Sequence, residues 1–298
     1  MSRSPMHSAL LASLTSTLIG LLAVTVSSCA SHDAADPDMP KQSAPDPKVA
    51  AALDKILAGD QRSAANRARD GYRHPKETLL FFGIRPDMKV VEVWPGPGGW
   101  YTEILAPLLR DQGKLYAAQW DTTTASQQIR DALDRFNTKL ASRPELYDKV
   151  AVTALSPAPS TALIAPDASV DMILTFRNMH NWLMFGWTDQ AFAAMYKALK
   201  PGGILGVVDH RGDPTLPQDP KAASGYVDQK YAIQMIEAAG FKLVAASEIN
   251  ANPKDDRNHP QGVWTLPPTF ALGDTDRDKY AAIGESDRFT LKFIKPRG

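Results

Sequence analysis

Hydrophobic positions along the chain alternate between two periods. A run of β-branched residues, Val90, Val91 and Val93, fits a buried strand. It breaks at Pro95-Gly96-Pro97-Gly98-Gly99, and Ile104, Leu105, Leu108 and Leu109 then recur at helical spacing, predicting a helix over 101–109. Downstream the pattern predicts strands over 115–120, 150–155, 170–176, 203–208, 241–247 and 288–294. It places helices over 125–141, 191–199 and 228–239, the first with Ile129, Leu133, Phe136 and Leu140 on one face. Ahead of the first strand, 49–56, 64–70 and 74–82 read as helical, with Pro75 in the first turn of the last. Strand and helix in alternation argue an α/β fold: an open, largely parallel sheet with helices on both faces. In such sheets ligands bind beyond the carboxyl ends of the strands, where the strand order reverses.

The strand, glycine turn and helix around 89–109 form the geometry that aims free backbone N–H groups at a ligand. Glu92 sets a carboxylate beside that turn. Two readings stand at this level, a ligand cradle and a tight turn into a crossover helix, because G-x-G-x-x-G is absent.

Residues 1–29 read as a leader rather than as part of the fold. Arg3 supplies a positive start, 9–26 is mostly apolar, and the segment ends at Val26-Ser27-Ser28-Cys29, the only cysteine of the chain. The segment resembles the lipobox of bacterial lipoprotein signal peptides. That resemblance implies cleavage before Cys29, lipidation of its thiol and export, with Ala30 in the next position favouring the outer membrane, facing the periplasm. A tether with three prolines over 30–46 follows, and a domain from 47 to 298, with 250–287 as an insertion of little periodicity read as a cap. With a single cysteine, no thiolate metal site or cysteine nucleophile is available to the mature domain. The chain's 33 basic and 33 acidic side chains give no reason to expect nucleic acid as a partner. A membrane partner enters through the lipid anchor alone, and oligomeric state is not legible.

Beyond the glycine turn, three further segments carry a family resemblance: 174–182 (LTFRNMHNW), 199–211 (LKPGGILGVVDHR) and the pieces of 250–288 around Asn250, Trp264 and Glu285. Together with 92–107 they resemble the class I S-adenosylmethionine-dependent methyltransferases, and more narrowly a bacterial group of exported predicted methyltransferases. The resemblance implies a Rossmann-like, seven-stranded, mostly parallel sheet with a final antiparallel strand, and a pocket for S-adenosylmethionine at the turn. It assigns Glu92, Trp94, Gly96, Gly98, Gly99 and Tyr101 to that pocket. Two positions depart from the family: a glycine is replaced by Trp94, and the acidic residue that takes the ribose hydroxyls by Gln119, with Asp121 two residues on as a substitute. Trp94 reads as a stacking wall, as an obstruction, or as core packing.

Methyl transfer requires donor and acceptor held in line and, for an oxygen or nitrogen acceptor, a base. Past the fourth strand stand Arg177, Asn178 and His180; past the fifth, Asp209, His210 and Arg211. His180 has the titration range of a base near neutrality, with His210 in reserve. Each also reads as a hydrogen-bonded structural histidine. Arg177 reads either as a partner for an anionic substrate or as an ion-pair partner of Glu92 or Asp209. Asn178, Arg211, Asn250, Asn252 and Trp264 are the substrate-facing candidates, the acceptor being a small or envelope-associated molecule. The spacing of His180, His210, Asp209 and Asp121 matches no metal signature, so no metal is expected. The expectation is a methyltransferase. Its alternative is a ligand-binding lipoprotein on the same scaffold, because a charged cofactor does not cross a bilayer unaided.

Overall fold

The structure, a computed structural model, describes residues 44–123 and 125–297. Cys29, the expected lipidation site, and the expected leader and tether up to residue 43 lie outside the described residues. Among the described residues no helix is long and apolar enough to cross a membrane.

Seven strands form one sheet: β1 Lys89–Val93, β2 Lys114–Gln119, β3 Ala151–Ala154, β4 Val170–Phe176, β5 Leu199–His210, β6 Lys242–Ser247 and β7 Arg288–Ile294, in the order β3-β2-β1-β4-β5-β7-β6. All pairings are parallel except those of β7, which runs antiparallel to both β5 and β6. The order reverses between β1 and β4, so the predicted ligand crevice lies beyond Val93 and Phe176.

The helices are α1 Pro47–Leu57, α2 Ala64–Arg67, α3 Asp70–Arg73, α4 Pro75–Phe82, α5 Thr102–Leu109, α6 Gln127–Ser142, α7 Pro144–Tyr147, α8 Met179–Phe185, α9 Thr188–Ala198, α10 Gln229–Ala238 and α11 Arg277–Ile283. Side-chain caps start several of them: Asp46 accepts from the Lys48 amide and Asp228 from the Tyr231 amide, each at 2.8 Å. Each face of the sheet carries its own core. Val91 and Val93 pack with Trp182, Phe192 and Ile236, while Val90 packs with Leu53, Leu79 and Ile104. Because β1 is buried on both faces after its exposed Lys89, it reads as a valine run, with Glu92 the one polar residue inside it.

Helices α7 and α11 are absent from the sequence expectation, and three further elements differ from it. Helix α8 stands where the pattern shows only a connection; seven residues are too few to display a full helical repeat, and Met179, Trp182 and Leu183 at i, i+3 and i+4 are its whole signal. Strand β5 begins at Leu199 rather than at 203, with a register shift opposite Val170–Met172 that absorbs the Lys200–Gly203 turn as an irregularity within the strand. The helical stretch 64–70 divides into α2 and α3.

The insertion at 250–287 carries a 3-10 turn at Gly262–Thr265 as well as α11. It is fastened from inside by Asp255, whose carboxylate accepts from Tyr226 Oη at 2.9 Å, from the Asp287 amide at 2.7 Å and pairs with His259 Nε2 at 2.8 Å. Gly262 is obligatory there: at φ +54°, a Cβ would meet the Ser224 carbonyl oxygen at 2.0 Å.

Candidate functional site

The glycine turn connects β1 to α5. Gly96 takes φ +71°, and a Cβ at Gly96 or Gly98 would meet no atom within 4 Å, so both face open space. Among the described residues neither amide donates a hydrogen bond. Under the turn, Thr102 Oγ1 donates to Glu92 Oε2 at 2.6 Å and ties the start of α5 to β1. Burial raises the Glu92 carboxyl to about 8 against the weaker pull of its hydrogen bonds from Thr102, so it is a neutral acid at pH 7.

Trp94 turns toward β2 and β3. Its indole stacks on Trp120 with centroids 4.1 Å apart, stands edge-on to Trp182 at 5.9 Å, and donates Nε1–H to the Leu155 carbonyl at 2.9 Å. Trp94 therefore packs on the core while also lining the open space beside Gly96. Tyr101 lies stacked on Phe176, centroids 3.6 Å apart, and is buried. At the end of β2, Gln119 is buried and its Nε2 has no partner. Asp121 is engaged locally: Oδ1 accepts from the Thr123 amide and hydroxyl, and Oδ2 from Ser160 Oγ.

On the other side of the crevice, Asp209 at the end of β5 is fully buried and organises α8. Its Oδ2 accepts from the amides of Met179 at 2.8 Å and His180 at 3.3 Å, and its Oδ1 from the His210 amide at 2.7 Å. His180 Nδ1 meets Oδ1 at 2.9 Å. Because both oxygens of Asp209 already accept from amides, the imidazole supplies the proton of this contact, leaving Nε2 of His180 with the lone pair. The ring of His210 lies 5.1 Å from that of His180, and its Nδ1 contacts Ser286 Oγ. Burial, then the neighbouring His180 and Arg288, push His210 well below the ordinary histidine range, so it is neutral at pH 7. Asn178 bridges β4 to β1 by donating to the Val93 carbonyl at 2.8 Å.

A cavity of about 310 Å3 opens between these halves. Trp94 and Gly96 line it from the turn, Arg177, Asn178 and His180 from beyond β4, His210 from β5, and Trp264 from the cap. Glu92, Gly98, Gly99, Tyr101, Gln119 and Asp121 do not line it. Arg211, Asn250 and Asn252 stand outside it as well, in internal ties. Arg211 pairs with Asp287 and Glu248, Asn250 donates to Thr78 and Thr290, and Asn252 donates to the carbonyls of Ile283 and Glu285.

The cavity also has walls that the sequence reading passed over. Glu285 and Arg288 line it, and behind them Arg69 and Arg73 from the helical stretch before β1 bond to Glu285 at 2.6 and 3.1 Å. The antiparallel register of β7 sets Arg288 opposite His210, and its Nη2 reaches Glu285. Burial pushes the Glu285 carboxyl up, yet Arg288, Arg73 and Arg69 together hold it at about 2. Only the i, i+3 placement of Glu285 and Arg288, the arginine opening a strand, marks the charge pairing of this cluster in the sequence.

As metal ligands, His180, Asp209 and His210 bring donor atoms within 4.8 Å of one another, without Asp121. Both Nδ1 atoms and both Asp209 oxygens are already hydrogen-bonded within the protein.

The sheet order with its single antiparallel strand has clear structural relatives. The chain aligns with a SAM-dependent methyltransferase from Aquifex aeolicus at TM-score 0.51 and 16% identity, covering 84% of this chain and 98% of that one. This is the class I methyltransferase fold. The [4+2]-cyclase SpnF shares the fold at TM-score 0.52 and 18% identity, over 81% of this chain and 86% of its own. So does geranyl diphosphate C-methyltransferase from Streptomyces coelicolor A3(2), solved with Mg2+, geranyl diphosphate and S-adenosyl-L-homocysteine, at 0.51 and 14%, over 80% and 87%. No family model matches the chain, and no curated protein matches it. The methyltransferase fold therefore rests on architecture rather than on sequence identity.

Proposed function

We propose that this chain is an S-adenosylmethionine-dependent methyltransferase carried to the outer membrane on a lipid at Cys29, acting on a small or envelope-associated acceptor. The observation that carries this reading is the open cavity at the strand-order reversal, with Gly96 and its unbonded amide on one wall and a buried His–Asp pair on the other. The residues fit the cofactor. Gly96 and Gly98 leave the turn clear for close backbone approach, and the partnerless Nε2 of Gln119 is a donor for a ribose hydroxyl. Glu92, neutral and tied to Thr102, fixes the turn's geometry rather than contributing charge. When bound, the cofactor supplies a methyl group on a sulfonium.

The protein's own contribution is positional and protolytic. Asp209 fixes the ring and tautomer of His180, so that Nε2 accepts the acceptor's proton as the methyl group transfers. Asn178 holds the end of β4 against β1, and Trp264 closes the space above His180, their rings edge-on at 6.0 Å.

Calorimetric titration of the purified protein with S-adenosylhomocysteine tests this. Binding in roughly the micromolar range is expected, with loss on Gly98→Val. A Cβ at Gly98 meets no atom within 4 Å, so the substitution spares the fold and obstructs a cofactor that reaches along the turn beyond Gly96. His180→Gln should lower turnover on the order of 100-fold or more with cofactor affinity retained; equal losses in both would remove it as the base.

A second reading, a ligand-binding lipoprotein without transferase activity, is favoured by one observation. The Trp94–Trp120 stack covers the ends of β1 and β2, where a nucleoside would approach Gln119. If the stack bars the nucleoside, the parent protein ignores the cofactor while Trp94→Ala binds it. The anchor is tested separately: Cys29→Ser should abolish labelling by a fatty-acid probe, and continued labelling would defeat it.

A further inference from the structure

The cavity wall formed by the start of β7 and the end of β4 carries more positive charge than the protein itself balances. Arg69, Arg73, Arg177 and Arg288 converge there. Glu285 is the one carboxylate that ion-pairs with any of them within 4 Å among the described residues, holding Arg69, Arg73 and Arg288. Asp209 acts on Arg177 only from longer range, with both oxygens already committed to α8 and His210. Four guanidiniums against two carboxylates leave two positive charges in a largely buried site. An unmatched buried charge is strongly unfavourable, so an arrangement that retains one calls for a partner.

Unmet hydrogen-bonding capacity points the same way. Arg69 Nη2, Arg73 Nη2 and Arg288 Nε are buried without an acceptor. The guanidinium of Arg177 makes no hydrogen bond or ion pair at all among the described residues, although Arg177 lines the cavity. Its backbone is held at φ +62°, a conformation that is unfavourable for a side chain of this size and that clusters at ligand sites. Burial and the nearby Arg288 lower the Arg177 guanidinium to about 10, which an incoming anion would reverse. Behind these residues, Arg73, Arg177 and Arg288 also surround a void of about 10 Å3, room for no more than one water. A ligand must therefore meet the cluster from the large cavity.

We propose that the ligand meeting His180 in this cavity is an anion, and that its phosphate-type oxyanion docks on the unpaired fork of Arg177 beside Arg288. This names the acceptor class for the transferase proposed above and rests on that reading for the word acceptor; the anion site itself stands on the arginine cluster alone. Two surplus positive charges match a dianion, and a guanidinium pairs bidentately with two oxygens of a phosphate. Glu285 orients Arg288 and Arg73 and limits the repulsion among the four cations, while Arg177 is left to the ligand. The methyl group would then pass to an atom of a phosphorylated molecule that lies toward His180 from its anionic end.

Titration with inorganic phosphate, in buffer free of other oxyanions, tests the site, with S-adenosylhomocysteine titrated in parallel. The expected result is saturable phosphate binding that weakens about tenfold or more in Arg177→Met while S-adenosylhomocysteine affinity stays within about twofold. Arg177→Met should also raise the melting temperature, since it removes an unmatched buried charge and leaves no partner behind. No phosphate binding to the parent protein, or equal binding to the variant, overturns the proposal. So does a loss of S-adenosylhomocysteine affinity as large as the loss for phosphate, which would assign the cluster to the cofactor's own carboxylate. Phosphate binding that depends on Arg177 in a protein indifferent to S-adenosylhomocysteine would support the anion site and sink the transferase.

Discussion

Two glutamates, Glu92 at the end of β1 and Glu285 just before β7, are buried to nearly the same degree, yet they titrate in opposite directions. Glu92 rises to about 8 because burial meets only the hydrogen bonds from Thr102. Glu285 falls to about 2 because three arginines overcome the same burial. The difference divides the crevice. Around β1 and β2 the protein discharges its acid and packs aromatic rings: Trp94 on Trp120, Tyr101 on Phe176. Around β4, β5 and β7 it concentrates charge, leaves three guanidinium nitrogens without acceptors and lines most of the cavity. A packed, neutral wall positions a ligand through shape and backbone amides. A charged, underfilled wall selects it by chemistry.

Removing Glu285 is the largest test of this division. Glu285→Ala would leave Arg69, Arg73 and Arg288 buried without their shared carboxylate, and breaking a buried pair from one side costs about 3–5 kcal/mol. Urea unfolding of the variant against the parent measures it. A loss under about 1 kcal/mol would mean that water already reaches the arginines, and the contrast with the β1 side would shrink to one of degree.

The sequence made the packed half readable and left the charged half nearly silent. The valine run, the glycine turn and the helix behind it follow from periodicity and turn chemistry, which are local. So does the alternation that yields the sheet, and with the family resemblance its antiparallel seventh strand. The charged half is assembled from three distant stretches: Arg69 and Arg73 before β1, Arg177 after β4, and Glu285 with Arg288 at the far end of the chain. Their meeting depends on β7 entering between β5 and β6, a tertiary fact without a local period. Helix α8, too short for its repeat to show, likewise hid that His180 is presented from a helix by Asp209. For Asn250, Asn252 and Arg211, position near the crevice was legible, but the ties that engage them, to α4 and β7 for Asn250 and within the cap for Asn252, were not.

The milder test uses pH, because the two acids act on stability with opposite sign. The folded value for Glu92 lies above its unfolded value of about 4.5. Its contribution is therefore complete below about pH 4.5 and is lost as pH rises through about 8. For Glu285 the folded value lies below, so its contribution is present above about pH 4.5 and is lost toward pH 2. His210, depressed by burial, is stabilising above its unfolded value of about 6.5 and opposes Glu92 below it, leaving about pH 6.5 to about 8 as the window where Glu92 acts unopposed. Melting temperature should decline across that window in the parent protein. Glu92→Gln, which keeps an acceptor for Thr102 Oγ1 and cannot ionise, should flatten the decline. A parent curve already flat there would mean that Glu92 is charged at neutral pH. In that case the β1 side is no more discharged than the β7 side, and an anionic ligand would feel a buried carboxylate behind the turn as well as Glu285 on the cavity wall.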